Sequence, residues 1–103
     1  MRIDWSEPAR DGLRDIQTYI AQDSPVAAQQ FVEKLIAAVE RLAQFPESGR
    51  HVPESEMENV RELIFGSYRI IYRPETPERV LIVAIVHGHR DLTRRDQQPW
   101  KSE

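Results

Sequence analysis

The chain has 103 residues, 40% hydrophobic and 30% charged, with a formal net charge of −3, the size and composition of one globular domain with a small core of its own. It contains no cysteine, which excludes disulfides, thiolate nucleophiles and thiolate zinc sites and fits a reducing, cytoplasmic setting. Its longest apolar run, VLIVAIV at residues 80–86, is too short to span a bilayer, and Met1 leads into a charged segment without the pattern of a signal peptide.

Residues 2–5, RIDW, suit a short edge strand. Ser6 has the side chain of an N-cap, and Pro8 falls in the first turn, where its missing N–H is harmless. Ala9, Leu13, Ile16 and Ile20 then recur at helical spacing, which predicts a helix over 8–21. Asp23-Ser24-Pro25 repeats the start signal, and Ala28, Phe31, Val32, Leu35, Val39 and Leu42 predict a second helix over 25–44, stopped by Pro46. So short a connection makes the pair an αα-hairpin. Residues 46–59, PESGRHVPESEMEN, read as a polar, acidic loop. Strands are expected at about 60–65, 68–73 and 79–87, with a turn from Pro74 to Pro77. The last strand, RVLIVAIVH, is apolar on both faces and so belongs in the middle of a sheet covered on both sides. From about residue 91 the tail is polar, a short helix or a loose arm. The order β-α-α-β-β-β predicts an α+β fold, a helical hairpin packed on one face of an antiparallel sheet, in a single domain 1–103.

A two-residue turn at Gly66-Ser67 sets the register of the central hairpin: Phe65 opposite Tyr68, Ile64 opposite Arg69, Leu63 opposite Ile70. Alternation puts Arg61, Leu63, Phe65, Tyr68, Ile70 and Tyr72 on one side and Glu62, Ile64, Arg69, Ile71 and Arg73 on the other. The first side is the more apolar, so the helices are expected to cover it. The second is then open, with Arg69 and Arg73 on it. Two readings follow: Arg69 pairs diagonally with Glu62 as part of the scaffold, or the arginines face an anion. Charge is unevenly spread. Residues 1–60 carry 6 basic and 11 acidic side chains and residues 61–103 carry 8 basic and 6 acidic, so an anion-facing surface belongs in the second half. Arg90, Arg94 and Arg95 cluster there, partly offset by Asp91 and Asp96.

Taken in order, these residues resemble the ParE/RelE superfamily of bacterial toxins from type II toxin–antitoxin pairs. The likeness runs through Trp5-Ser6, Ala9, Leu13, Ile16, Tyr19 and Ile20, then Pro25, Ala28 and Phe31, then the Pro46-x-x-Gly49-Arg50 loop. It continues with Arg61-Glu62-Leu63, Tyr68-Arg69-Ile70-Ile71-Tyr72 and His87-Gly88-x-Arg90. The resemblance implies the toxin fold, a cytoplasmic protein that inhibits growth or stabilises plasmids, and a cognate antitoxin, ParD-like or RelB-like. It leaves two targets open. RelE-like members cut messenger RNA on the ribosome, whereas ParE-like members poison DNA gyrase without catalytic residues of their own.

By the same resemblance, Arg69 and Arg90 stand where RelE-like nucleases keep phosphate-binding arginines. Such nucleases place lysine on the first strand of the hairpin, where this chain has Glu62, Leu63 and Ile64; its lysines are Lys34 and Lys101. They also commonly carry a tyrosine after the last-strand arginine, and DLTRRDQQPWKSE has none. His87 is then the candidate base of a nuclease, or the strand-end histidine often found there in the ParE-like branch. A metal at His87, His89 and Asp91 would draw its ligands from one strand, which rarely supplies a whole set. There is no Gly-rich phosphate loop and no Ser/His/Asp order worth defending, and no cofactor is expected. The expectation is a ParE-like gyrase inhibitor, with Arg69, Arg73, Arg90, Arg94 and Arg95 as target-binding candidates. Arg69, His87 and Arg90 are the catalytic set of the alternative, a ribosome-dependent endoribonuclease. Ala27, Phe31, Ala38 and Leu42 widen the apolar arc of the second helix and are the candidates for a groove that takes an amphipathic segment of the antitoxin.

Overall fold

A computed structural model describes residues 1–101. The elements are β1 (Arg2–Trp5), α1 (Glu7–Ala21), α2 (Pro25–Glu40), β2 (Arg50–His51), β3 (Arg61–Phe65), β4 (Tyr68–Thr76) and β5 (Arg79–His87). Short 3-10 turns follow at Arg41–Ala43, Arg95–Gln97 and Pro99–Lys101. Both helix starts obey the capping signals. Ser24 Oγ accepts the Ala27 N–H at 3.1 Å, and Ser6 Oγ accepts the Ala9 N–H at 3.1 Å. The α-helical part of α2 ends at Glu40, short of the expected 44, because the last turn tightens to 3-10 geometry on the approach to Pro46. Among the described residues no helix is long and apolar enough to cross a membrane.

The five strands form one sheet in the order β1-β5-β4-β3-β2. The central hairpin has the expected register, with Leu63 opposite Ile70, Ile64 opposite Arg69 and Phe65 opposite Tyr68. Gly66 has a φ of 57° and is the only residue of the turn in the left-handed region, the pattern of a type II′ hairpin, where glycine comes first. Two features depart from the expected sheet. The loop after α2 contributes a two-residue edge strand, β2, against Arg61 and Glu62. And β1 runs parallel to β5, with Arg2 opposite Arg79 and Trp5 opposite Ile82, so the sheet is mixed rather than wholly antiparallel. The connection between the two runs through the helical hairpin and the other three strands, ample for a parallel pair.

The pairing of β4 with β5 steps from Ile71–Ala84 to Tyr72–Ile82, which leaves Val83 as an extra residue. This bulge changes the phase of alternation. Val80, Ile82 and Ile85 face the helices, in a core with Ile16, Leu35, Val39, Leu42, Ile70 and Tyr72. Leu81, Val83, Ala84 and Val86 face the other way. The Val83 carbonyl is taken by the Ser6 hydroxyl, which donates to it at 2.7 Å. One serine thus caps α1 and ties it to the central strand.

The second face is not open. Leu92 and Trp100 of the C-terminal arm are buried on it, beside Val52, Val60 and Ile71, in a second core cluster. The sequence hides this because the arm holds only those two large apolar residues in a polar stretch, too few to set a periodicity. Arg69 and Arg73, expected on a free surface, are therefore buried.

Candidate functional site

Each arginine of the central hairpin closes a structural contact. Arg61 Nη1 donates to the carbonyls of Glu47 and Gly49, at 3.2 and 2.8 Å. It holds the loop after α2 against the sheet. The Gly49 N–H completes that seat by donating to the Tyr72 hydroxyl at 2.8 Å. A side chain at position 49 would bring its Cβ to 2.6 Å from both the Glu62 carbonyl and the Tyr72 hydroxyl, so only glycine fits. Burial is the main cause that raises the Tyr72 phenol above its ordinary pKa. Arg73 Nε donates to Glu75 at 2.8 Å and its Nη1 donates to the Trp100 carbonyl at 3.3 Å, which pins the arm.

Arg69 sits in a network of four charges. Its Nε donates to Glu62 Oε1 at 2.5 Å. Its two terminal nitrogens donate to the two oxygens of Glu54, at 2.9 and 2.7 Å. Glu62, whose side chain is fully buried, also accepts from Arg50 Nε at 2.7 Å. The diagonal Arg69–Glu62 pair expected from the register is present, and Glu54 from the acidic loop completes it. Hydrogen bonding from Arg69 is the largest cause holding the Glu54 carboxyl below its ordinary pKa, and Glu54 is in turn the largest cause raising that of Arg69. Two arginines and two glutamates leave this cluster with no net charge.

An open cleft of about 410 Å³ lies beside it, lined by Arg50, Glu54, Arg69, His87 and His89 together with the Gly66-Ser67 turn. His87 ends β5, and its ring stacks on that of His89 with centroids 4.7 Å apart. The His89 N–H donates to His87 Nδ1 at 3.2 Å. A neutral His87 must then carry its proton on Nε2, which makes the ring a hydrogen-bond donor rather than a base at that atom. Asp91 accepts from the Thr93 N–H at 2.9 Å. Among the described residues, no three acidic or imidazole groups are placed to share a metal ion.

Arg90 does not join Arg69. It lies past the end of β5, exposed, and lines a different cleft with Asp11, Asp15 and Tyr19 of α1. Tyr68 and His87 stand between the two clefts and line both. Arg94 and Arg95 are exposed on the arm. Of the groove candidates, Ala27 is exposed and Ala38 half-buried. Phe31 is partly buried, its ring edge-on to those of Phe65 and Tyr68 at 5.3 and 5.7 Å. Leu42 is fully buried in the helix-side core and offers no surface. Its place in the helical stripe told only that it was apolar, not which side of the arc the core would claim. The sequence gives no sign of Glu54, and marks Arg50 only as part of the Pro46-x-x-Gly49-Arg50 loop, because a polar loop does not tell which of its charges folds back onto the sheet.

Against known proteins, the family model described as "ParE toxin of type II toxin-antitoxin system, parDE" matches residues 3–92. The chain is 33% identical over 89 residues to a putative toxin, Y4kP, of Sinorhizobium fredii, covering 86% of this chain and 90% of that one. It is 34% identical over 89 residues to toxin RelE2 of Caulobacter vibrioides, covering 86% and 97%. In three dimensions it resembles a chain of the chromosomal ParDE system of P. aeruginosa, with a TM-score of 0.70 at 24% identity, over 84% of this chain and 95% of that one. A chain of the RelBE2 toxin–antitoxin complex of Mycobacterium tuberculosis gives 0.59 at 18% identity, over 82% and 94%.

Proposed function

The chain belongs to the ParE toxin family of type II toxin–antitoxin systems, and from that premise we propose that it acts in the cytoplasm by binding DNA gyrase rather than by cutting RNA. The observation that carries this reading is the separation of Arg69 from Arg90. A nuclease of this fold needs cations converging on one scissile phosphate and a group to move protons. Here Arg69 lines one cleft, already held by two carboxylates, and Arg90 lines another. The Nδ1 of His87, the candidate base, is also already engaged by the His89 N–H.

Neutralisation by a cognate antitoxin is supported by the neighbours, which are named as toxin–antitoxin systems or complexes. The surface proposed for it is the outer arc of the helical hairpin. Ala27, Phe31 and Ala38 of α2 keep some surface, Tyr19 of α1 and Val26 of α2 are exposed, and an amphipathic segment can cover such apolar groups. The test of the target is direct. Purified toxin should inhibit supercoiling by gyrase and leave messenger RNA intact, on or off ribosomes. Ribosome-dependent cleavage of messenger RNA by the wild-type protein would replace this reading with the endoribonuclease.

A further inference from the structure

β1 is an end strand of the sheet, paired with β5 alone. The Arg2 N–H donates to the Glu78 carbonyl at 2.7 Å, and the Ser6 N–H donates to the Ile82 carbonyl at 2.9 Å. Residues 2, 4 and 6 therefore turn their backbone groups to β5, and alternation turns those of Ile3 and Trp5 outward. The Trp5 carbonyl is taken by Arg10 Nη1, which donates to it at 3.0 Å. The outward groups of Ile3 have no bonded partner among the described residues. They form an open edge, a template on which another strand can pair. The opposite edge strand, β2, is only two residues long.

The charges along this edge fit a copy of itself. A two-fold axis between two edge strands makes them antiparallel and repeats every contact. Two registers keep the pairing within the strand. With the axis at Asp4, the two Asp4 carboxylates meet as like charges directly opposite, which is unfavourable. With the axis at Ile3, the two Ile3 residues exchange both backbone bonds, and Arg2 of each copy lies opposite Asp4 of the other. The polar face is prepared for that second register. Arg2 Nε and Arg79 Nε both donate to Asp4 Oδ2, at 2.9 and 2.6 Å, and Oδ1 has no hydrogen bond among the described residues. The Arg2 side chain is 70% exposed. On the helix side the same register sets Met1 of each copy against Trp5 of the other. Met1 is 48% exposed, and with Trp5 it lines a cleft of about 340 Å³ beside the strand, walled by Ile36 and Val39 of α2. Tyr19, Val26 and Phe31 do not line this cleft, so the surface proposed for the antitoxin stays free.

We propose that the protein forms a homodimer by antiparallel pairing of β1 with β1 of a second copy, about a two-fold axis at Ile3, so that one sheet runs through both. The pairing is independent of what the toxin attacks. So short a seam belongs with the weak interfaces, and the dimer should therefore appear with concentration. Sedimentation of the full chain from about 5 to 500 μM should show monomer passing into dimer. Arg2→Asp sets like charges opposite each other on both sides of the axis and should weaken the dimer about tenfold or more. At so exposed a position it should leave the melting temperature of the dilute protein nearly unchanged. Ile3→Pro removes the N–H donor at the axis without touching the ladder to β5, and should weaken the dimer as well. The chain has no cysteine, so Ile3→Cys reports position. Paired Cα atoms there would lie about 5.5 Å apart, within reach of a disulfide. A mild oxidant should link two copies through Ile3→Cys and leave Val26→Cys, on α2, unlinked. A monomer at every concentration would leave the edge to the strand of a different protein and overturn the proposal. So would a dimer that survives both Arg2→Asp and Ile3→Pro, or one that links through position 26 as readily as through position 3.

Discussion

At the level of single residues, the buried carboxylate of Glu62 is the most consequential charge in the fold. It answers Arg69 and Arg50 at once, from a position with no access to water. Glu62→Ala should cost about 3–5 kcal/mol, the usual penalty for stranding the partner of a buried ion pair, tempered by the Glu54 contact that Arg69 keeps. A change below 1 kcal/mol in urea melts would show that the pair is not desolvated. Glu54 makes a pH-dependent contribution whose sign can be stated. Its pKa is lowered in the folded state from an ordinary 4.5, so the unfolded chain takes up that proton first as pH falls. The contribution is complete above about 4.5 and is lost as pH drops toward the lower folded value. Between those two values wild-type protein should lose stability faster than Glu54→Gln as pH falls; parallel acid profiles would refute the linkage. The pairing of Arg69 with Glu62 was legible from a turn and an alternation rule. Its burial was not, because alternation assigns a side of the sheet without saying what covers that side.

At the level of elements, the helices and the hairpin were legible because their signals are local. A proline after a serine cap, a stripe of period near 3.6 and a glycine-led turn all act within a few residues. Leu35 on α2 and Ile82 on β5 are fully buried where the hairpin meets the sheet. Alanine at either should cost about 2–5 kcal/mol in denaturant melts. The parallel pairing of β1 was not legible, since nothing near residues 2–5 specifies a partner more than seventy positions away. Nor was the docking of the arm, which decides what Trp100 contributes. A tryptophan on a free tail could be removed without effect, but this one is 1% exposed. Trp100→Ala should therefore cost about 3–5 kcal/mol. Trp100→Phe should cost far less, because Nε1 has no hydrogen-bond partner among the described residues. Equal losses in the two variants would mean that the indole nitrogen is bonded after all.

At the level of the whole molecule, positive charge stays accessible only where the fold does not consume it. Arg61, Arg69 and Arg73 are spent on the loop, the glutamates and the arm. Arg90, Arg94 and Arg95 remain exposed near the end of the chain, on a protein that is acidic overall. If a gyrase–DNA complex is the target, charge reversal at Arg94 and Arg95 should weaken inhibition, more so at low salt, and leave the melting temperature unchanged. His87→Ala should matter little to the same inhibition. An unaltered supercoiling assay with the charge-reversed arm would place the contact elsewhere. Arg69→Ala cannot serve as a clean probe of target binding, because it strands a buried glutamate as well as removing a cation.

The parallel seam between β1 and β5 also governs when this protein can come into being. The first strand of the chain has its hydrogen-bonded partner at residues 79–82, and the second core is closed by a tryptophan at position 100. During synthesis, at roughly 5–20 residues per second, the helical hairpin emerges early with nothing to lie on. Its apolar face stays uncovered until the central strand is released behind it. Contacts that join the two ends of a chain are slow to form, because a long loop must close before any of them repays its entropy. Neither core can therefore be completed until nearly all of these residues have been made. The nascent chain also passes through a window in which the strip of α2 later hidden by the sheet is open to any chaperone or partner within reach.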